Sequence, residues 1–351
     1  MDNIHISKKV FFLTLAGFLI LGVIFGICIK NAKPSKNKQN KNNVFDKITN
    51  QTTNQNEDQN SEDTQNDTND TNQNNDNNNT GNSGPTKTNG QYASQTITYG
   101  STGSSSLKFD LNIPKGSSNP PVIVWIHGGA FGPGGLNAAD GYIDDFAKEG
   151  YAIAEVAYRS VLDGLFPSQI QDVKGAVRYL RANASSLGID GGNIFALGTS
   201  SGGMTVSLLG TSCGVAELEG TTGGNTGYSS CVDGVVNLFG SLTVSQITDI
   251  SDSVLPNLYG LFGCAVGSSC PDMVKTSSAY YLDAGDPPFL IIHGDADQTV
   301  PIEQSQELYS LMTAAGIDVT FITAPGAGHD KDTIITNYFD EIISFLNNNY
   351  N

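Results

Sequence analysis

The hexapeptide Gly198-Thr199-Ser200-Ser201-Gly202-Gly203 lies between two apolar runs, Asn193-Ile194-Phe195-Ala196-Leu197 and Met204-Thr205-Val206-Ser207-Leu208-Leu209. Strand, sharp turn and helix follow in that order, with Ser200 at the tip of a G-x-S-x-G pattern. Glycine flanks the serine because such a turn is strained and its backbone packs closely on its neighbours. The geometry exposes the Ser200 hydroxyl. It also sets the next N–H groups at a helix N-terminus, where they favour negative charge.

The chain after about Gln91 extends this alternation. Gln95–Tyr99 and Leu107–Ile113 read as a β-hairpin, and strands are expected at 122–126, 151–157, 193–197, 232–238, 288–292 and 319–323. Helices are expected at 139–149, 168–185, 201–210, 302–316 and 333–348. Alternating strand and helix implies an α/β fold, with a mostly parallel central sheet and helices on both faces. Residues 241–285 carry no clear strand signal and make a candidate cap insertion.

A serine hydroxyl needs a base to take its proton and a carboxylate to fix the base's tautomer. The four histidines are His5, His127, His293 and His329. His5 precedes a long apolar run. His127 and His293 each end a strand and precede glycine, which suits a structural role. His329 sits in the loop Ala324-Pro325-Gly326-Ala327-Gly328-His329-Asp330 after the last strand and is the candidate base. The acid lies in His293-Gly294-Asp295-Ala296-Asp297, where Asp297 is favoured and Asp295 reads as a turn or cap residue. The resulting chain order is Ser200, Asp297, His329.

That order, with His127-Gly128-Gly129-Ala130-Phe131 after the strand 122–126, resembles α/β-hydrolases of the carboxylesterase group. Hormone-sensitive-lipase-like esterases share the HGGAF motif, the Tyr158-Arg159 step and a segment like Phe166-Pro167-Ser168-Gln169-Ile170-Gln171-Asp172-Val173. They usually carry G-D-S-A-G-G at the nucleophile. This chain's Gly198-Thr199-Ser200-Ser201-Gly202-Gly203 and His293-Gly294-Asp295-Ala296-Asp297 are nearer the bifunctional deacetylase/feruloyl-esterase-like family. The resemblance covers roughly Gln91 to Asn351. It implies an α/β-hydrolase fold and a Ser200–His329–Asp297 triad. An oxyanion hole drawn from Gly128, Gly129 and Ala130 with the Ser201 N–H, and a small ester or acylated carbohydrate as substrate, are implied too. An amidase or peptidase would use the same residues. A non-enzymatic surface-binding module would be marked by a lost triad member, and none is lost.

Three further features bound the reading. Val10–Ile29 is an uncharged apolar run of 20 residues after Lys8 and Lys9, long enough to span a bilayer and expected to be an uncleaved anchor, with secretion or lipidation at Cys28 as alternatives. Residues 31–90 are rich in Asn, Gln, Thr, Asp and Lys and are expected to form a disordered tether to a catalytic domain at 91–351. Residues 1–90 hold nine basic and nine acidic residues, so the whole net charge of −17 falls after position 90. That disfavours nucleic acid, which needs clustered Lys and Arg. Cys213, Cys231, Cys264 and Cys270 lack metal-ligand spacing, and no metal or cofactor is called for. They allow three pairings, of which Cys213–Cys231 with Cys264–Cys270 is the simplest. An even cysteine set beside a membrane run points to an external, oxidising compartment.

Overall fold

Among the described residues, nine strands form one sheet in the order β1-β2-β3-β5-β4-β6-β7-β8-β9. The computed structural model describes residues 87–88, 90–103, 105–240 and 250–350. The expected anchor, the Cys28 site, nearly all of the tether and residues 241–249 of the expected cap lie outside the described residues. Among the described residues, no helix is long and apolar enough to cross a membrane.

The sheet opens with three antiparallel strands, β1 (Lys87–Thr88), β2 (Tyr92–Thr102) and β3 (Ser105–Pro114). β3 then pairs antiparallel with β5 (Ala152–Val156). From there β4 (Val122–Ile126), β6 (Ile194–Thr199), β7 (Gly234–Leu238), β8 (Phe289–Gly294) and β9 (Val319–Ala324) continue in parallel. β4 to β8 are buried along their whole length. This explains their unbroken apolar runs, because a parallel sheet is covered on both faces.

Alternation along each strand divides two cores. Val122, Val124 and Ile126 face one side, with α2 (Ser168–Leu187), α3 (Ser201–Thr211) and α6 (Glu303–Ala315). Ile123 and Trp125 face the other, with α1 (Ile143–Lys148), α7 (Lys331–Asn337) and α8 (Phe339–Asn348). A short helix, α4 (Ala216–Glu219), follows α3.

Several boundaries differ from the sequence reading. β1 lies before the expected domain start at Gln91 and pairs with Ala93 and Ser94. The helix expected at 139–149 begins only at Ile143, because the Glu155 carboxylate captures the Ala139 N–H and Gly141 turns at φ 97°. The helix expected at 333–348 is two helices, divided where Tyr338 leaves helical backbone at φ −125°, ψ 23°. Within 250–285, α5 (Leu255–Gly260) and two 3-10 turns, Pro271–Thr276 and Ser278–Tyr280, place Leu258 and Leu261 in the same core as α2 and α3. The described part of the expected cap is therefore packed into the domain. Cys213 bonds Cys231 and Cys264 bonds Cys270.

Candidate active site

β6 ends at Thr199 and α3 begins at Ser201, so Ser200 makes the whole turn between them. Its backbone stands at φ 54°, ψ −123°, a conformation that L-residues hold only where the surroundings impose it. Two glycines make this possible. A Cβ at Gly202 would stand 2.1 Å from the Ile126 carbonyl oxygen, and one at Gly198 would stand 2.4 Å from that of Gly202. The helix start is thus pressed onto the ends of β4 and β6, which a side chain at either position would prevent. The Ser200 N–H donates to Leu238 O at 3.0 Å, tying the turn to β7 as well.

His329 reaches this turn from the loop after β9. Its Nε2 lies 2.8 Å from Ser200 Oγ and its Nδ1 lies 2.7 Å from Asp297 Oδ2. With the Nδ1 proton donated to the carboxylate, Nε2 presents its lone pair to the serine. The three residues come from three strand ends, in hydrogen-bonded contact.

Asp297 is enclosed. Its Oδ1 accepts the N–H groups of Thr299 (2.7 Å) and Val300 (2.9 Å). Its Oδ2 meets His329 and, at 3.3 Å, Nε2 of His293. Burial pushes this carboxyl upward, but the hydrogen bonds from His293, His329 and Val300 outweigh it and hold the group well below the usual carboxylate range. It is an anion at any working pH. Asp295 does something else: its Oδ1 accepts the Gly326 N–H at 2.6 Å, stapling the acid loop to the loop that carries His329.

The segment His127–Phe131 lies over the turn. A Cβ at Gly128 would stand 2.9 Å from Thr199 O and 3.1 Å from Ser200 Cβ, so glycine lets the two backbones meet. Gly129, Ala130 and Phe131 all have positive φ, at 104°, 52° and 61°. The bend closes with Gly132 N–H donating to Gly129 O at 2.9 Å. Ser201, the first residue of α3, accepts the Phe131 N–H on its side-chain oxygen at 3.3 Å. Ser200, Asp297, His329, Gly128 and Ser201 are therefore joined by these contacts, and Gly129 and Ala130 continue the same bend.

His127 and His293 have more specific settings than strand ends require. The His127 Nδ1–H donates to Gly128 O at 2.7 Å, and burial lowers its pKa, so the ring stays neutral. The His293 Nε2–H donates to Val300 O at 2.9 Å, and Nδ1 accepts the Ser305 hydroxyl at 2.7 Å. His293 and Asp297 are four residues apart, a spacing visible in the sequence and not used there. Phe239, at φ 43°, sets its ring edge-on to both His329 (4.7 Å) and His293 (6.5 Å). Nothing in the sequence marked Phe239, because its place depends on β7 lying between β6 and β8. Tyr158 was visible only as half of a Tyr-Arg step. Arg159 anchors that step, its backbone N–H, Nε and Nη2 all donating to the buried Asp172 carboxylate at 2.7–3.0 Å.

The order of the strands, the serine turn and the Ser–Asp–His arrangement together define an α/β-hydrolase fold. The family model BD-FAE matches residues 109–312, and the chain belongs to that family. The match takes in Ser200 and Asp297 and ends before His329. Among curated proteins, the chain is 27% identical over 219 residues to the esterase LipC of Mycobacterium tuberculosis, covering 61% of this chain and 54% of LipC. It is 25% identical to esterase LipQ of the same organism, covering 70% of this chain and 59% of LipQ. The chain thus spans little more than half the length of these relatives. Among solved structures, a truncated carbohydrate esterase from gut microbiota superposes with a TM-score of 0.66 at 32% identity, covering 72% of this chain and 95% of that one. A bifunctional GH43-CE protein of Bacteroides eggerthii superposes with a TM-score of 0.63 at 30% identity, covering 70% of this chain and 36% of that one.

Proposed function

We propose that this protein is a serine carboxylesterase acting through an acyl-enzyme. The observation that carries this reading is the unbroken line Ser200 Oγ, His329 Nε2, His329 Nδ1, Asp297 Oδ2, with both links inside hydrogen-bond distance. In the first step Ser200 Oγ bonds to the ester carbonyl carbon as its proton passes to His329 Nε2. The carbonyl oxygen becomes an oxyanion, held by N–H groups of Gly129 or its neighbours Gly128 and Ala130 and by the Ser201 N–H at the start of α3. Collapse breaks the bond to the alcohol oxygen, which takes the proton from His329. Water repeats the cycle: His329 accepts its proton, hydroxide adds to the acyl carbon, and Ser200 leaves with the proton returned. Asp297 stays ionised throughout and stabilises the imidazolium.

The substrate class that fits is a small carboxylic ester or an acylated carbohydrate. The names of the two solved relatives, a carbohydrate esterase and a GH43-CE protein, support it. The two disulfides favour an oxidising, external setting. In this reading Val10–Ile29 anchors the chain in a membrane and residues 31–90 tether a catalytic domain outside it. The test is hydrolysis of p-nitrophenyl acetate and acetylated xylan by wild type and Ser200→Ala. The variant should lose activity while keeping its melting temperature. Hydrolysis by Ser200→Ala at the wild-type rate would reject the mechanism.

A further inference from the structure

The bend His127–Phe131 holds two non-glycine residues at positive φ, Ala130 at 52° and Phe131 at 61°. Such backbone persists only when neighbouring groups over-determine it. Gly132 N–H to Gly129 O closes the bend internally, and Val161 N–H donates to Phe131 O at 2.8 Å. Neither contact reaches the elbow that carries Ser200.

Two hydroxyls do. Ser201 Oγ accepts the Phe131 N–H at 3.3 Å. The Tyr158 hydroxyl donates to His127 O at 3.0 Å, and the ring of Tyr158 lies flat on the His127 imidazole, 4.5 Å between centroids at 17°. Burial pushes the Tyr158 phenol up, against the smaller opposing effect of Ser201, so it remains a donor over the working pH range. The first residue of the bend is thus held by Tyr158 and the last by the residue directly after the nucleophile. In the G-D-S-A-G-G pattern the corresponding residue is alanine and has no hydroxyl.

We propose that Tyr158 and the Ser201 hydroxyl are positioning residues that seat the oxyanion loop on the nucleophile turn. The inference rests on the esterase reading above. Neither side chain takes part in bond making; each acts through the backbone N–H groups that it places.

The test compares Ser201→Ala, Tyr158→Phe and the double variant in the full chain. It reads kcat and KM on p-nitrophenyl acetate, the rate of Ser200 labelling by a fluorophosphonate, and hydrogen exchange at the Phe131 amide. Removing an oxyanion donor outright costs about 10²–10³ in kcat, so a misplaced loop should cost about 10- to 100-fold, with KM within about twofold of wild type. Labelling should slow in parallel, and Phe131 should be protected in wild type and exchange faster in each variant. The double variant should be little worse than the singles, since the two hydroxyls hold the two ends of one bend and losing either unseats it. Tyr158→Phe keeps the ring stack, and decides the matter where Ser201→Ala melts early. Wild-type kcat in Tyr158→Phe, losses that multiply in the double variant, or an unprotected Phe131 amide in wild type would each overturn the inference. Unchanged hydrolysis by Ser200→Ala would instead reject the esterase reading, and the Phe131 exchange data would still decide the seating of the loop.

Discussion

Asp297→Asn tests the acid assignment most sharply, because the structure dictates which way the new amide must point. Oδ1 accepts two backbone N–H groups, from Thr299 and Val300. An amide NH₂ placed there would oppose two donors, so the carboxamide oxygen stays and the NH₂ takes the Oδ2 position. It then faces His329 Nδ1, at 2.7 Å from the present oxygen. To accept from an NH₂, Nδ1 must lose its proton, and the proton moves to Nε2. His329 then donates to Ser200 and cannot take the serine proton. The imidazolium of the transition state also loses its counter-charge. A wrong-tautomer histidine in this arrangement costs about 10⁴-fold in kcat, which corresponds to roughly 5.4 kcal/mol on the barrier at 1.36 kcal/mol per tenfold. KM should move little, since Asp297 is buried and reaches Ser200 only through His329. Asp295→Asn is the control: an amide oxygen can still accept from Gly326 N–H, so its loss should stay under about tenfold. Steady-state kinetics on p-nitrophenyl acetate, with melting curves to show intact folding, decide the point. A folded Asp297→Asn within tenfold of wild type, or a larger loss in Asp295→Asn, would refute the reasoning.

Two further outcomes follow from the buried charges and the disulfides. Burial, opposed in part by the Ala139 N–H and reinforced by Asp140 and Asp110, pushes the Glu155 carboxyl up to about 7. Its folded pKa lies above its unfolded one, so its contribution to stability is full below about pH 4.5 and is lost as pH rises toward 7. Glu155→Gln keeps an acceptor for Ala139 and should gain on wild type in melting temperature between pH 5 and 7, with no further gain above; a pH-independent difference would reject this. Replacing Cys213 and Cys231 by serine should lower stability by about 3 kcal/mol, roughly 10 °C for a domain of this size, with activity retained at 25 °C. The loop they close is also held from beneath, where Glu219 accepts Lys174 at 2.6 Å and Arg178 at 3.0 Å. An unchanged melting temperature in dithiothreitol would reject a contribution from these bonds.

What was legible in the sequence was whatever local pattern and order along the chain determine. Buried strands show as apolar runs because both sheet faces are covered, and β4 to β8 were placed to within a few residues. Helix ends were harder. The start of α1 is moved by a carboxylate from β5 that captures the Ala139 N–H, an interaction between residues 16 positions apart. Ser200, Asp297 and His329 could be selected because each follows a strand in a loop with its own signature, and the sheet brings those loops to one edge.

The residues that escaped notice are those whose place is set by two elements at once. Phe239 sits against both His329 and His293 only because β7 runs between β6 and β8. His293 looked like a residue that merely ends a strand, yet its ring is wholly enclosed and its Nε2 lies 3.3 Å from the oxygen that receives the His329 proton. The Asp297 carboxylate thus accepts three hydrogen bonds, two on Oδ1 and one on Oδ2, with the His293 ring beside Oδ2, and so stays charged in a buried position. The same logic governs the bend His127–Phe131. Its glycines announce close approach, but the hydroxyls that fix it come from Tyr158 after β5 and Ser201 after β6, two strands that both flank β4. A motif places Ser200, Asp297 and His329 at strand ends; the strand order decides which buried partners hold them at hydrogen-bonding distance.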